Sequence, residues 1–328
     1  MRKIIVIVLT LILLLSGCKK DNINLTDISA SPEVSQEFLA SPSTQLIEFE
    51  RADTERIKTD ILEIAKVCRS AGSEEERNAA LYIMKQLEAA GYAPVMQEYY
   101  FESKEEKDES GVMSLAYIRV EPTESYDIKT QNVCAVRTAS NGNKAPIIIL
   151  SAHYDSFMGV GALDNASGTA ALLELSRLIT YSGNYEIRFV FFGAEEWFLR
   201  GSQNYVKDLS DEEKSRIIAN INMDTIGYNG SAKLNLYIWD HTGSKAVDLL
   251  TASKAWSDIE ITESKDYKSD HTSFAEEGIP AVLMIDKPTD TNLSKIINSE
   301  EDTLEKVDAH RIKEIVDMVI SSLAERMY

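Results

Sequence analysis

The sequence predicts an α/β fold, with a mixed, mostly parallel central sheet and helices on both faces. Two observations carry this reading. From residue 147 onward, short apolar runs recur at 147–151, 187–192, 217–223, 233–239 and 281–285, each the length of a buried strand. Segments with helical spacing separate several of them, which is how a sheet is covered on both faces.

Each element has its own signals. In 57–68, Ile57, Ile61, Ile64, Val67 and Cys68 repeat at helical spacing. Ser73 before Glu74, Glu75 and Glu76 predicts an N-cap with a capping box. That helix runs to Ala90 with Leu81, Met84 and Leu87 inward, and Gly91 stops it. A strand follows at 95–101, then a charged loop at 102–108. Strands at 112–120 and 132–137 form an antiparallel part of the sheet. Beyond the strand at 147–151, Ala170, Ala171, Leu172, Leu175 and Leu178 pack a helix over 167–180. Further strands are expected at 187–192, 217–223, 233–239 and 281–285, with helices at 244–255 and 308–326.

The first 44 residues read differently. Arg2 and Lys3 precede an apolar run at 4–15 broken only by Thr10, which suits a signal peptide and is short for a membrane span. The run ends in Leu15-Ser16-Gly17-Cys18, which resembles a bacterial lipoprotein cleavage box. That resemblance implies a leader over 1–17, removed before Cys18, and lipid on the Cys18 thiol. Residues 18–44 are rich in Ser, Asp and Asn, and Pro32 and Pro42 break any helix, so they read as a flexible linker. The domain proper is 45–328, long enough for one large α/β unit. The expected protein is exported, anchored by lipid to the cell envelope, and monomeric.

The formal net charge is −19, and losing Arg2 and Lys3 makes it more negative still. Such a surface argues against a nucleic-acid partner. Cys68 and Cys134 are far apart and do not by themselves establish a disulfide. There is no CxxC pattern to suggest zinc held by thiolates.

Chemistry concentrates after the apolar runs. His153 and Asp155 follow 147–151, two residues apart, so in extended backbone they point the same way. One could bind a metal while the other orients the ring. Asp164 lies among small residues just before a helix, where its two oxygens could bridge two ions. Glu195 and Glu196 follow the strand at 187–192; adjacent side chains diverge, so one can ligate a metal while the other moves a proton. Asp224 follows 217–223, and the pair Asp270 and His271 precedes 281–285, where it could support the ligands or meet substrate. An imidazole and carboxylates gathered from several strand ends suit a metal site.

Ser-Ala-His-Tyr-Asp-Ser at 151–156, Gly-Ala-Leu-Asp-Asn-Ala-Ser-Gly at 161–168, Phe-Phe-Gly-Ala-Glu-Glu at 191–196, Asn-Met-Asp at 222–224 and Ser-Asp-His-Thr-Ser-Phe at 269–274 together resemble the twenty-eighth metallopeptidase family. That family contains di-zinc aminopeptidases, glutamate carboxypeptidase and glutaminyl cyclases. The resemblance implies a three-layer zinc-peptidase sandwich and two zinc ions. By it, His153 and Asp224 hold one ion, Glu196 the other, and Asp164 bridges them. Glu195 is then the general base, Asp155 stands behind His153, and the Asp164–Asn165 peptide is cis. The implied activity is hydrolysis of N-terminal residues from peptide substrates, with a glutaminyl cyclase or a non-catalytic binding lipoprotein as alternatives. The chain departs from the family at its last ligand. Counting back from Asp302-Thr303 puts Asn298 where the family has His and Ile297 where it has Tyr, and an amide oxygen is a weaker zinc donor than imidazole.

Overall fold

The computed structural model describes residues 50–107, 113–142, 144–251, 253, 256 and 259–327. The leader, Cys18 and the linker lie outside them, as does the end of the helix expected over 244–255. None of the helices among the described residues is long and apolar enough to cross a membrane.

Two helices open the domain, α1 (Thr54–Ile64) and α2 (Glu74–Ala89). They are followed by the strands β1 (Val95–Lys107), β2 (Met113–Val120), β3 (Ile128–Arg137) and β4 (Ile147–His153). Next come α3 (Ser167–Leu178), β5 (Glu186–Phe192), α4 (Arg200–Asp208), α5 (Asp211–Arg216) and β6 (Ile217–Met223). The chain ends with β7 (Ala232–Ile238), α6 (Ser244–Leu250), β8 (Glu260–Glu263), α7 (His271–Glu276), β9 (Ala281–Pro288) and α8 (Ala309–Met327).

One mixed sheet runs β2-β1-β3-β5-β4-β6-β9-β7-β8. The contiguous block β5-β4-β6-β9 is parallel, as is β7 with β8. The flanking pairs are antiparallel, including the β1-β2-β3 portion expected from the sequence. β4 is buried along its whole length, and its side chains alternate between two cores. Ile148 and Leu150 join α1, α2, α3, α6 and α8 on one face, while Ile147 and Ile149 join Tyr205 and Val206 of α4 and Phe274 of α7 on the other. From β4 the chain passes through α3 on the first face to β5, then through α4 on the second face to β6, which lies on the other side of β4. This reversal opens a crevice at the carboxyl ends of the strands, where open α/β sheets bind ligands.

Several local expectations are corrected. The Ser73 hydroxyl does accept from the Glu76 N–H at 3.0 Å. Glu76, however, does not return to the cap. Its carboxylate is fully buried and accepts from Gly72 N, Thr130 Oγ1 and Ala194 N, because three donors from separate segments converge on it. Leu81 is 48% exposed; the inward face of α2 is Ala79, Ala80, Ile83 and Leu87, whose alanines let the helix approach closely. The strand does not end at Phe101. β1 continues through its charged residues paired only with β2, a two-stranded ribbon that needs no apolar face. α4, α5, α7 and β8 are not among the elements the sequence predicts. α5 carries a true capping box, Ser210 with Glu213, and β8 is a short, polar edge strand. Cys68 and Cys134 are both free.

Phe189 packs edge-on against Tyr92 at 5.3 Å and is fully buried. Phe189→Ala is expected to cost about 3–5 kcal/mol, measured as a lower urea midpoint at unchanged slope.

Candidate metal centre

His153 ends β4 and stands in register beside Phe192, which ends β5. Asp224 directly follows β6, and its N–H bonds Met284 O of β9 at 3.0 Å. Asp164 arrives on a wide, fully buried turn, Ala162–Ala166, and its peptide bond to Asn165 is cis. Gly161 opens that turn at φ +55°; a Cβ there would stand 2.4 Å from Ser156 Cβ and 2.5 Å from Asp164 O, so no larger residue fits.

These three side chains meet. His153 Nε2 lies 3.1 Å from Asp164 Oδ1 and 3.5 Å from Asp224 Oδ1. One ligand atom from each residue falls within 4.8 Å of the others, and all three residues are buried. The other ring nitrogen, Nδ1, is 3.3 Å from Asp155 Oδ1, and neither ring nitrogen makes an in-line hydrogen bond within the protein.

Asp155 has a second contact set. Its Oδ1 accepts from Glu195 N at 3.0 Å and its Oδ2 from Glu196 N at 3.1 Å. One buried carboxylate therefore faces the imidazole and also pins the turn carrying both glutamates. Glu76 holds the same turn one residue earlier through Ala194 N at 3.1 Å. The turn is strained: Ala194, Phe198 and Leu199 have φ of +52°, +63° and +59°. Gly201 passes so close to Gly193 that a Cβ on it would stand 2.1 Å from Gly193 O.

The electrostatics call for a cation. Burial, then the Asp224 charge, raises the pKa of Asp164. Burial, then the charges of Asp270, Asp224 and Glu196, drives Glu195 well above the carboxylate range. Burial and the charge of Asp164 push Glu196 up to about 9. Burial opposes protonation of His153, but Glu195 and Asp224 overcome it and its pKa is raised. Burial works against ionised Asp224 as well; the charge of His153 outweighs it, helped by hydroxyls of Ser269 and Thr225, and holds its pKa low. A divalent ion among these oxygens would offset the burial and the repulsion that raise these carboxylates. One imidazole and two carboxylates form a donor set suited to such an ion, so this group could bind a metal.

The remaining candidates sit around it. Glu196 lies outside the three-residue group, with Oε1 buried and lacking a hydrogen-bond partner. Asn298 is exposed, with φ +55°. Asp270 and His271 are fully buried at the start of α7, and neither ring nitrogen of His271 has a partner. Burial raises Asp270 to about 7 and lowers His271 to about 4.

Three supporting residues escaped the sequence reading. Asp302 accepts from Leu163 N at 2.7 Å and Asp164 N at 2.9 Å, fixing the Asp164 turn; its place in the Asp302-Thr303 motif was the available signal. Glu76 was hidden by its resemblance to a capping residue. Arg69, 1% exposed, donates to carbonyls of Tyr154, Val160 and Gly161 and so ties together both ends of the loop between Asp155 and Asp164. Nothing in its local sequence announces this.

A family model described as peptidase family M28 matches residues 132–323. The chain belongs to peptidase family M28. Among curated relatives of this M28 chain, aminopeptidase YwaD of Bacillus subtilis strain 168 is 31% identical over 209 residues, covering 60% of this chain and 44% of that protein. The probable lipoprotein aminopeptidase LpqL of Mycobacterium tuberculosis is 32% identical over 180 residues, covering 48% of this chain and 34% of that one. The match thus spans less than half the length of either relative. Among solved structures, an aminopeptidase from Aneurinibacillus sp. strain AM-1 superposes with a TM-score of 0.69 at 22% identity, covering 84% of this chain and 94% of that one. The glutaminyl cyclase of Porphyromonas gingivalis gives 0.63 at 20% identity, covering 84% and 99%. At these identities the two structures speak for the M28 fold alone.

Proposed function

We propose that this M28 chain is an exported, lipid-anchored zinc aminopeptidase that removes N-terminal residues from peptides. The observation that carries the reading is the buried group of His153, Asp164 and Asp224, set beside a glutamate turn pinned by Asp155. The relatives described as aminopeptidases, one of them as a lipoprotein, support it.

His153 and Asp224 would hold one ion, Glu196 a second, and Asp164 would be shared. Bound there, zinc supplies Lewis acidity toward a carbonyl oxygen and toward water. Glu195 takes the proton from the attacking water on its carboxylate and passes it to the leaving amine. Asp155 keeps Glu195 in place through its backbone N–H and faces the His153 ring from behind.

Metal analysis combined with hydrolysis of aminoacyl amides and cyclisation of N-terminal glutamine peptides tests the reading. Amide hydrolysis supports it. Cyclisation alone assigns the chain to glutaminyl cyclases, and failure of both with bound metal leaves a binding lipoprotein.

Asn298 sets a further expectation. An amide in place of imidazole weakens the Glu196 ion relative to the His153–Asp224 ion. Activity should rise with added zinc, cobalt or manganese, and Asn298→His should tighten the weaker site and raise turnover at limiting metal. Two equally tight ions in the natural protein, or no gain from the histidine, would show that another ligand completes the site.

A further inference from the structure

Two fully buried charged side chains, Arg69 between α1 and α2 and Glu76 in the first turn of α2, lie upstream of every ligand and proton-transfer candidate named above. A buried charge is costly unless its hydrogen-bonding capacity is met, and each of these meets it on a different loop of the site. Every acceptor of the Arg69 guanidinium is a backbone carbonyl. Nε donates to Tyr154 O at 2.6 Å and Nη2 to Gly161 O at 3.1 Å, while Nη1 is shared among Ile64 O, Val67 O and Val160 O. The Arg69 main chain adds two bonds to Ser156: its N–H donates to Oγ at 2.9 Å, and its carbonyl accepts from Ser156 N at 3.2 Å. Tyr154 directly follows His153, and Gly161 O also accepts from Ala166 N, the bond that closes the Asp164 turn. Arg69 therefore holds both ends of the segment between His153 and Asp164. Burial lowers its pKa to about 10, so it stays charged at neutral pH.

Glu76 gathers donors in the same way. Its Oε2 accepts from Gly72 N at 2.8 Å, and its Oε1 accepts from Thr130 Oγ1 of β3 at 2.6 Å and from Ala194 N at 3.1 Å. Ala194, the residue before Glu195, is held at φ +52°, a conformation that needs support from its surroundings. Gly193 passes so close that a Cβ on it would stand 2.6 Å from Glu76 Oε1. The carboxylate is rooted in a helix whose inner face, Ala79, Ala80, Ile83 and Leu87, is buried.

We infer that the segment from Arg69 to Glu76 is a clamp that positions the two halves of the site separately. Arg69 sets the loop from His153 to Asp164 and so governs metal affinity; Glu76 sets the turn of Glu195 and so governs turnover. Both are positioning residues, acting through the backbone of their neighbours. The inference rests on the peptidase reading above for the role of Glu195.

Two readouts on the full chain test this: calorimetric titration of zinc into metal-free protein, and hydrolysis of an aminoacyl amide at saturating zinc. Arg69→Lys keeps the charge, but an ammonium cannot reproduce the planar fork that reaches both ends of the loop. It should weaken the tighter zinc by about 10–100-fold, while kcat returns to within about threefold of the natural value once zinc saturates. Glu76→Ala should leave the tighter zinc affinity within about threefold and cut kcat by about 10–100-fold at little-changed KM, since a displacement of about 1 Å can cost 10²-fold. Glu76→Gln, whose side-chain oxygen can still accept from Ala194 N, should recover most of that loss. Where Arg69→Lys or Glu76→Ala does not fold, milder variants carry the same test with the same signs. Ser156→Ala removes the oxygen that meets Arg69 N, and Glu76→Asp draws the carboxylate back by one methylene. Phe189→Ala, which loses stability away from these loops, should change neither readout in the folded protein. Zinc affinity and kcat falling together in both variants, neither of them falling, or Phe189→Ala reproducing the losses would overturn the clamp. A natural chain that binds zinc but hydrolyses no amide would instead overturn the peptidase reading, and the zinc titration would then decide the clamp by whether Arg69→Lys weakens binding and Glu76→Ala does not.

Discussion

Glu195→Gln is expected to abolish most peptide hydrolysis while leaving metal content unchanged. The substitution keeps size and the backbone N–H that Asp155 holds at 3.0 Å, and removes only the carboxylate to which the proposed mechanism gives the proton. General acid–base catalysis is worth about 10²–10⁴-fold, so kcat should fall by that factor with little change in KM. Stopped assays at saturating metal, paired with elemental analysis, decide it. Turnover within a few-fold of the natural protein would remove Glu195 from the reaction.

Asp155→Ala has the second-largest expected effect, and it separates two defects. The partner behind a metal-binding imidazole typically governs about 10–100-fold in metal affinity or activity. Its loss also strips the acceptors from Glu195 N and Glu196 N, leaving two partly buried donors without partners. Added metal should therefore restore occupancy without restoring the full rate. Complete rescue of kcat at high metal would show that Asp155 acts only through His153.

The parallel middle of the sheet and the site residues at its carboxyl edge were readable because both depend on local pattern. Continuous apolar runs identify strands buried on both faces, and a histidine or acid just beyond such a run sits at a strand end in any α/β topology. His153 and Asp224 come together for that reason, and Asp164 joins them from the turn before α3. The partners that fix them were less readable, because they come from remote segments. Asp302 reaches the Asp164 turn across more than a hundred residues, and Glu76 reaches Ala194 from the first turn of α2. The extent of β1 was also hidden: charged residues 102–107 read as a loop until pairing with β2 is known. Leu81 is the larger residue, yet the inner face of α2 carries alanines, because close packing of the helix leaves no room for leucine there. The short helices α4 and α5 lack enough apolar repeats to register as helices.

The six described non-glycine residues at positive φ are Met158, Ala194, Phe198, Leu199, Thr225 and Asn298. All occur in segments after Asp155, around the glutamate pair, after Asp224 or in the last motif. Each such conformation costs on the order of 1–3 kcal/mol, comparable in sum to a sizeable share of a domain's net stability. If the proposed chemistry needs these side chains in place, thermal robustness and chemical competence are opposed in this chain. Selection for heat tolerance alone would favour glycine at these six places, trading side chains and rigidity at the crevice for a relaxed backbone. A lineage of variants chosen only for endurance should drift toward a sturdier, slower molecule, with its changes gathered at the crevice rather than spread through the two cores.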